Sequence, residues 1–372
     1  MKASSQFTGP VGRKVKVRAA AGIALTLGIA AIAGMNKPAT ATAPPAIDPA
    51  PATDAAPAAA AVPAADSVMV MPDGTVMAAS AMPTGAANDP AFAAIANPVT
   101  QVGDPPAVGG SSSAGFTVSC PYSHTLFDDP IVFPGQAGKS HEHDFLGATS
   151  TNAGSTNANM APSATKTTCA AKADHSPYWT PTLRANGTVV HPTQGTKSSA
   201  GVAARQTIYY RNPPGLKVRA IPAGLRMISG VSMAKSVAEN PHLGHDIWWG
   251  CSDNSISTKL TEPPAHCKTG IITLHLHFPN CWDGQHLDSP DHQSHMAWPK
   301  SGHCPADHPV LIPRVTIRNE YVVGTTTGTI TLGSGKTFTI HGDFWNQWDQ
   351  KELERLTAKC FNAGVNCGKL EG

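Results

Sequence analysis

One stretch of the chain, residues 275–304, is rich in side chains that bind metal ions and transfer protons. Its thirty residues include six histidines, three aspartates and two cysteines. Imidazole changes charge near neutral pH and binds transition metals, and a neighbouring carboxylate can orient it and raise its basicity. The mixture predicts a site on a loop, suited to acid–base or metal-assisted chemistry.

Two His-x-His pairs indicate where strands contribute to such a site. Side chains alternate along a strand, so His141 and His143 share one face, as do His275 and His277. A pair of this kind can offer two imidazoles to one metal ion or one substrate. The competing interpretation is two pairs of exposed histidines, and the sequence alone does not decide between them.

Further candidates lie after the second pair and in three other segments. Asp291, His292 and His295 provide the parts of a general base and the carboxylate that orients it. In turn-rich loops, however, aspartates commonly cap turns. At 341–343, a histidine and an aspartate would share one side of a strand. That histidine is His341. The remaining candidates are Arg226, whose guanidinium lies in an apolar strand pattern, Asp283, a carboxylate in a turn, and Tyr178, an aromatic hydroxyl.

Several familiar catalytic signatures are missing from the sequence. It has no Gly-x-Ser-x-Gly elbow, phosphate-binding glycine loop, dinucleotide fingerprint or His-Glu-x-x-His motif. Serine-hydrolase, nucleotide-dependent and helix-borne zinc-protease mechanisms are therefore not indicated.

The N-terminus has the three parts of a secretory signal, which we predict for residues 1–41. A basic segment precedes an apolar run at 19–34, and Ala39-Thr40-Ala41 forms a small-x-small cleavage site. The run has sixteen residues, which is short for a permanent anchor, since spanning takes roughly 20. We expect a secreted protein, extracellular or periplasmic, that meets the membrane only during export.

Removal of this segment changes the charge of the chain. Without its six basic residues, 21 basic and 25 acidic residues remain, a formal net charge of −4. No basic stripe is left to neutralise phosphates, so we expect no nucleic-acid partner. We expect the mature protein to be a monomer.

Composition divides the mature chain in two. Residues 42–115 are rich in Ala and Pro and predict a disordered linker, whereas 116–372 contain every cysteine and predict one folded domain. Eight cysteines in an exported domain predict four disulfides. Proximity in sequence suggests the pairs Cys120–Cys169, Cys251–Cys267, Cys281–Cys304 and Cys360–Cys367.

Short alternating runs between Gly- and Pro-rich loops predict a mainly β domain, an antiparallel sandwich or jelly roll with long loops. Clear strand patterns occur at 206–210 and 271–278, and a Gly-Ser-Gly turn predicts a hairpin at 329–340. One convincing C-terminal helix spans 349–360, with Asp349 as its N-cap. Strands and disulfide-closed loops would then position the candidate residues.

Long motifs between about Asp129 and Cys360 carry a family resemblance. They are Asp129-Pro130-Ile131-Val132, Ser140-His141-x-His143, Ser176-Pro177-Tyr178-Trp179, Gly224-Leu225-Arg226-Met227, Phe278-Pro279-Asn280-Cys281, Asp288-Ser289-Pro290-Asp291-His292-x-Ser294-His295 and His341-Gly342-Asp343-Phe344. In these motifs the chain resembles the DUF1996 family. The resemblance implies a secreted domain of fungi or bacteria with no assigned activity, sometimes joined to wall- or sugar-binding modules. By analogy, it implies a role directed at polysaccharides.

Two functional hypotheses follow. In the first, a secreted hydrolase or lyase acts on an extracellular polysaccharide or wall polymer through a His/Asp-rich cleft. In the second, an exported protein binds glycan or metal without catalysis. The cleft of the first hypothesis would gather His141, His143, Tyr178, Arg226, His277, Asp283, Asp291, His292, His295 and His341.

The enzyme hypothesis has two versions. In the metal version, His141, His143 and His292 hold one divalent ion that activates water. In the metal-free version, a histidine is the general base, Asp291 orients it and Arg226 holds an acidic group. Either version requires these side chains to converge in one pocket.

Overall fold

The computed structural model describes residues 68–70, 76–78, 93–95, 114–212 and 216–371. The predicted signal peptide at 1–41 lies outside the described residues, and so does most of the predicted linker at 42–115. Within the linker, two short strands, β1 (Val68–Val70) and β2 (Val76–Ala78), form an antiparallel pair.

The remaining described chain is mainly β, as predicted. One α-helix, α1, lies near the C-terminus at Gln350–Leu356. In chain order, the further strands are β3 (Gly115–Val118), β4 (Tyr122–Leu126), β5 (His143–Gly147), β6 (Pro177–Pro181), β7 (Leu183–Ala185), β8 (Thr188–Val190), β9 (Gln206–Arg211), β10 (Arg226–Gly230), β11 (Ile247–Cys251), β12 (Ile271–His277), β13 (Cys281–Trp282), β14 (Met296–Ala297), β15 (Val310–Leu311), β16 (Arg314–Val322), β17 (Ile330–Leu332), β18 (His341–Trp345) and β19 (Asn366–Leu370).

Two sheets pack face to face and form the predicted sandwich. One has five strands in the order β10-β18-β6-β5-β4, and the other has six in the order β11-β12-β16-β9-β3-β19. Strand pairing is antiparallel except that β19 pairs with β3 in parallel. The inward side chains of both sheets form one apolar core, in which the rings of Phe278 and Phe344 lie 6.1 Å apart.

Strand β12 shows how sequence alternation sets this arrangement. Ile272, Leu274 and Leu276 are fully buried in the core, while the alternate residues His275 and His277 are half-buried on the outward face. Because successive side chains of a strand point to opposite faces, the apolar set fixes where the histidines point. The pair His275 and His277 therefore points outward because its strand buries the alternate side chains, whereas His141 lies in the loop before β5 and only His143 is on the strand.

The predicted hairpin at 329–340 is wrong. Strand β17 pairs with β7 instead, and residues Thr337–Thr339 form a 3₁₀ turn. Alternation predicts an extended segment but cannot specify its partner, and here the Ser334 hydroxyl lies 2.7 Å from that of Thr339 and helps to hold the turn. The turn delivers the chain to β18.

The C-terminal helix is confirmed with a shorter α-helical part. The Glu352 N–H donates to the Asp349 carboxylate at 3.1 Å, so Asp349 is the predicted N-cap. After Leu356, the chain continues as a π-helical turn over Thr357–Phe361. Among the described residues, no helix is long and apolar enough to cross a membrane.

All four predicted disulfides are present: Cys120–Cys169, Cys251–Cys267, Cys281–Cys304 and Cys360–Cys367. Such a set is typical of proteins that fold in an oxidising compartment. Cys281–Cys304 closes the loop that carries residues 283–295, which holds several candidate site residues.

Gly342 allows the two sheets to approach. A methyl group at this position would lie 2.8 Å from Leu276 Cδ1 of the facing sheet. Gly342→Ala is therefore expected to lower the free energy of unfolding by about 1–3 kcal/mol, the usual cost of overpacking. Chemical denaturation measures this loss, and the same substitution in a Leu276→Ala background should cost clearly less. An equal cost in both backgrounds would contradict the proposed contact.

Candidate metal centre

Strand β18 presents its polar side chains on the outward face of the five-stranded sheet. Gly342 and Phe344 face the core, so His341, Asp343 and Trp345 point outward. Two strands away, the outward face of β5 carries His143, which stands opposite Pro181 of the intervening strand β6. The strand order therefore brings together histidines that are almost 200 residues apart in sequence.

Three imidazoles converge above this face. The Nε2 atom of His341 lies 3.1 Å from that of His141 and 3.2 Å from that of His143. Ligand atoms of all three rings lie within 4.8 Å of one another. His143 and His341 are buried, whereas His141 is half-buried and faces solvent.

Backbone contacts determine which nitrogen of each buried ring carries the proton. Nδ1 of His143 lies 2.9 Å from the carbonyl oxygen of Asp128, and Nδ1 of His341 lies 2.9 Å from that of Thr339. A carbonyl can only accept, so each neutral ring donates from Nδ1 and keeps a lone pair on Nε2. Two lone pairs facing each other at 3.2 Å repel unless a cation lies between them.

The separations fit a bound transition-metal ion. Imidazole nitrogen binds zinc at about 2.0–2.1 Å. With that bond length, Nε2 atoms 3.1–3.2 Å apart correspond to an N–metal–N angle of about 100°, close to the tetrahedral value of about 109°. Small shifts of the rings would complete the geometry.

Burial keeps these rings in the neutral form that binds metals. It lowers the pKa of His143 to about 4 and, together with the neighbouring His143, that of His341 to about 3. Burial and the other two rings lower the pKa of His141 well below its ordinary value. Near neutral pH, metal binding would therefore not have to displace a proton from these nitrogens.

Two buried carboxylates adjoin the same cluster. Oxygens of Asp129 and Asp343 lie within 4.8 Å of each other and of a nitrogen of His143. Asp343 is fully buried, and neither of its oxygens has a hydrogen-bond partner among the described residues. Burial, with a contribution from Asp129, raises the pKa of Asp343 well above its ordinary value. A carboxylate in this position is costly without a proton or a cation beside it.

The loop before β5 is held in place by Asp128. Its carboxylate accepts the N–H of Gly138 at 2.8 Å and that of Ala153 at 2.9 Å. The next residue, Asp129, accepts the N–H groups of Ile131 and Val132 at 3.0 Å. These bonds order the loop that presents both His141 and the carboxylate of Asp129 to the cluster.

A buried charge network adjoins this centre. Asp288 lies 3.0 Å from Nη1 of Arg226 and 3.0 Å from Nδ1 of His292. The Arg226 guanidinium also lies over the ring of Trp345, 4.4 Å from its centroid. Burial raises the pKa of the nearby Asp129 carboxyl, while the N–H groups of Val132 and Ile131 and, to a smaller extent, His341 and His292 lower it. The network therefore extends the polar region along the same face of the sheet.

The segment 129–348, which contains the three imidazoles, both adjoining carboxylates and the charge network, matches a family described as a domain of unknown function, DUF1996. The chain belongs to the DUF1996 family. The match covers more than half of the 372 residues and includes the three histidines and both adjoining carboxylates. No curated protein and no solved structure matches the chain.

In this DUF1996 domain, the third imidazole beside His141 and His143 is His341 and not His292, the residue in the predicted metal set. The Nδ1 atom of His292 contacts Asp288. Asp291, the predicted orienting carboxylate, accepts the Ser289 hydroxyl at 2.7 Å and the Ser294 N–H at 2.8 Å instead. It caps a turn, as the competing interpretation held.

Two more predicted residues in this loop have bracing contacts. The ring nitrogens of His295 lie 2.9 Å from the Ser289 hydroxyl and 2.7 Å from the carbonyl oxygen of Arg226. Asp283 contacts the imidazole of His286 at 2.5 Å and accepts two backbone N–H groups. These contacts tie the loop to β10 and shape its turns.

Tyr178 and His277 lie apart from the three imidazoles. Tyr178 is fully buried in the core, where its hydroxyl lies 2.8 Å from Asp174 and 2.6 Å from the Tyr210 hydroxyl. His277 lies on the outward face of the other sheet, with Nδ1 3.8 Å from Asp246. The structure thus places Tyr178 between the sheets and His277 on the far side of them.

The core network around Asp174 predicts a pH dependence of stability. Burial raises the pKa of Asp174 to about 7, so its contribution is complete below pH 4 and is lost as the pH rises through about 7. Asp174→Asn should remove this loss, worth up to about 4 kcal/mol. Urea unfolding at pH 4 and pH 8 measures it. Equal pH dependence in the wild type and the variant would contradict the assignment.

The ten residues of the predicted cleft did not include Asp129, Asp288 or Asp343. A signal existed for Asp343, since it shares a strand face with His341 two residues earlier. Asp288 lies four residues before His292 in a loop, where spacing does not predict contact. For Asp129, the only signal was its place in a family motif.

Proposed function

We propose that this DUF1996 domain is an exported, metal-dependent hydrolase that holds one divalent transition-metal ion on His141, His143 and His341. One observation carries the proposal. The Nε2 atom of His341 lies 3.1 Å from Nε2 of His141 and 3.2 Å from Nε2 of His143. The N-terminal signal pattern and the four disulfides support export.

The donor set favours zinc or a similar ion. Imidazole nitrogen suits zinc and copper, whereas calcium and magnesium prefer oxygen ligands. Three protein ligands leave a fourth position for water, the usual arrangement of a catalytic zinc. The half-buried His141 marks the side from which water and substrate would approach.

A buried carboxylate beside the metal ligands, Asp343, would transfer the proton. A metal ion lowers the pKa of bound water toward neutrality. Asp343, a buried carboxylate beside the three imidazoles with no hydrogen-bond partner among the described residues, would accept a proton from the attacking water. The oxygen of that water would add to the electrophilic carbon of the bond to be cleaved, and the proton would pass to the departing oxygen. The substrate would be an extracellular polysaccharide or wall polymer, as the family resemblance implies.

One observation favours a second candidate, a metal-binding protein without catalysis. Of the five side chains at the centre, His143, His341, Asp129 and Asp343 are at most 4% exposed. An ion held there would meet solvent mainly past His141. Such enclosure suits storage or capture of an ion as well as catalysis.

Metal analysis of the purified mature protein, combined with a hydrolysis screen on wall polysaccharides, tests the proposal. We expect one ion per chain and product release that stops on chelation and returns with zinc. Metal binding without hydrolysis of any polymer would support the second candidate. Failure to bind zinc, copper or cobalt would overturn both.

A further inference from the structure

A polar groove of about 340 Å³ lies on the outward face of the six-stranded sheet, on a different sheet from the three imidazoles. Small-ligand sites commonly have volumes of about 300–1,000 Å³. Its lining includes the polar and aromatic side chains of Arg205, Tyr209, Asn254, His275, Arg318 and Glu320.

The sheet itself builds the floor of this groove. His275 stands opposite Trp248 on β11 and opposite Arg318 on β16, and Arg318 stands opposite Thr207 on β9. Residues directly opposite each other share a face of the sheet. A row of aromatic, imidazole and guanidinium groups thus crosses three strands, and Thr207 continues it on the fourth. Since strands hold side chains more rigidly than loops do, these groups are preorganised.

The groove has an excess of positive charge. The Arg318 guanidinium forms an ion pair with Glu320, and both side chains are buried. Glu320 also accepts the backbone N–H of Arg205 at 2.7 Å. The guanidinium of Arg205 is exposed at the rim, and the other lining residues add no carboxylate to offset it. An anionic group of a ligand would therefore be attracted to this rim.

The rest of the lining suits a ring with hydroxyl groups. Tyr209 is half-buried and offers part of its ring and its hydroxyl, while the exposed Asn254 offers an amide donor and acceptor. Aromatic faces pack on the C–H face of a sugar, and amide and guanidinium groups bond its hydroxyls and carboxylates.

We infer that this groove binds an acidic saccharide, with Arg205 contacting a uronate carboxylate and Tyr209 packing on the sugar ring. The groove would attach the protein to a carboxylated polymer independently of the ion at the three imidazoles. The inference goes beyond the proposed hydrolase, because a protein without any metal could still bind such a ligand.

Calorimetric titration of the mature protein with trigalacturonate, and with maltotriose as the neutral counterpart, tests the inference. We expect binding of the acidic trisaccharide alone. Arg205→Ala should weaken it about tenfold or more, the range for a hydrogen bond to a charged group. Arg219→Ala, at an exposed arginine outside the groove, should leave the affinity unchanged. A matching thermal unfolding curve for each variant would confirm intact folding.

Three results would overturn the inference: equal affinity for the two trisaccharides, equal weakening by Arg205→Ala and Arg219→Ala, or equally tight binding of a short oligothymidylate, which would show general attraction of polyanions. His341→Ala separates the two proposals. It should lose metal and keep trigalacturonate binding, so failure of one proposal leaves the other testable.

Discussion

Replacement of His341 by alanine is expected to weaken zinc binding by more than about 100-fold, beyond the 10–100-fold typical of residues that only orient a ligand. His341 is the ring whose Nε2 contacts both of the others, at 3.1 and 3.2 Å. Without it, His141 and His143 remain as two ligands beside buried carboxylates. Competition with a chromogenic chelator measures the affinity, and the visible spectrum of the cobalt form reports the number of nitrogen ligands.

Two histidine variants serve as controls for this result. His245→Ala changes an exposed histidine outside the centre and should leave the affinity unchanged. His292→Ala decides between the metal set predicted from sequence and the one that the geometry favours, and it should reduce the affinity by no more than about tenfold. A larger loss in His292→Ala than in His341→Ala would mean that the ion is held elsewhere.

Replacement of Asp288 by alanine is expected to lower the free energy of unfolding by about 3–5 kcal/mol, the usual cost of removing one partner from a buried ion pair. Asp288 is fully buried and stands 3.0 Å from both Arg226 and His292. Its loss would leave the buried Arg226 guanidinium without this carboxylate. Guanidinium chloride unfolding, monitored by tryptophan fluorescence, measures the change.

Asp291→Ala is the matched comparison, since this aspartate lies three residues away in the same loop but is exposed. It caps a turn, and removal of its hydrogen bonds should cost about 0.5–1.5 kcal/mol. Asp288→Asn should give an intermediate loss, because the amide keeps the shape of the side chain and loses its charge. Similar losses for Asp288→Ala and Asp291→Ala would show that the buried charge network contributes little to stability.

The parts of the fold that sequence predicts well are those that local pattern controls. Alternation of apolar and polar residues predicts strands at 206–210 and 271–278, and the structure has them at Gln206–Arg211 and Ile271–His277, because an inward apolar set needs only the core beneath it. Proximity of cysteines was enough for the disulfides, three of which close loops of 7 to 23 residues. Neither inference requires knowledge of strand order.

The candidate site depends on strand order, which the sequence does not specify. His143 meets His341 because β5 and β18 both flank β6, and no pattern near either histidine indicates that. The two His-x-His pairs are alike in sequence, yet one belongs to the three-imidazole cluster and the other lies on the opposite sheet beside Asp246 and Trp248. The two pairs differ because different loops cover the outward faces of the two sheets.

The approach of His141 and His341 from distant parts of the chain also bears on when an ion could be acquired. An unfolded chain would hold these rings apart, separated by 200 residues, and would compete poorly for scarce metal. The ion would enter only after the sandwich had closed, and it would then crosslink the loop before β5 to strand β18 late in folding. The compartment in which folding is completed, rather than the one in which the chain is made, would thus decide which metal the protein carries.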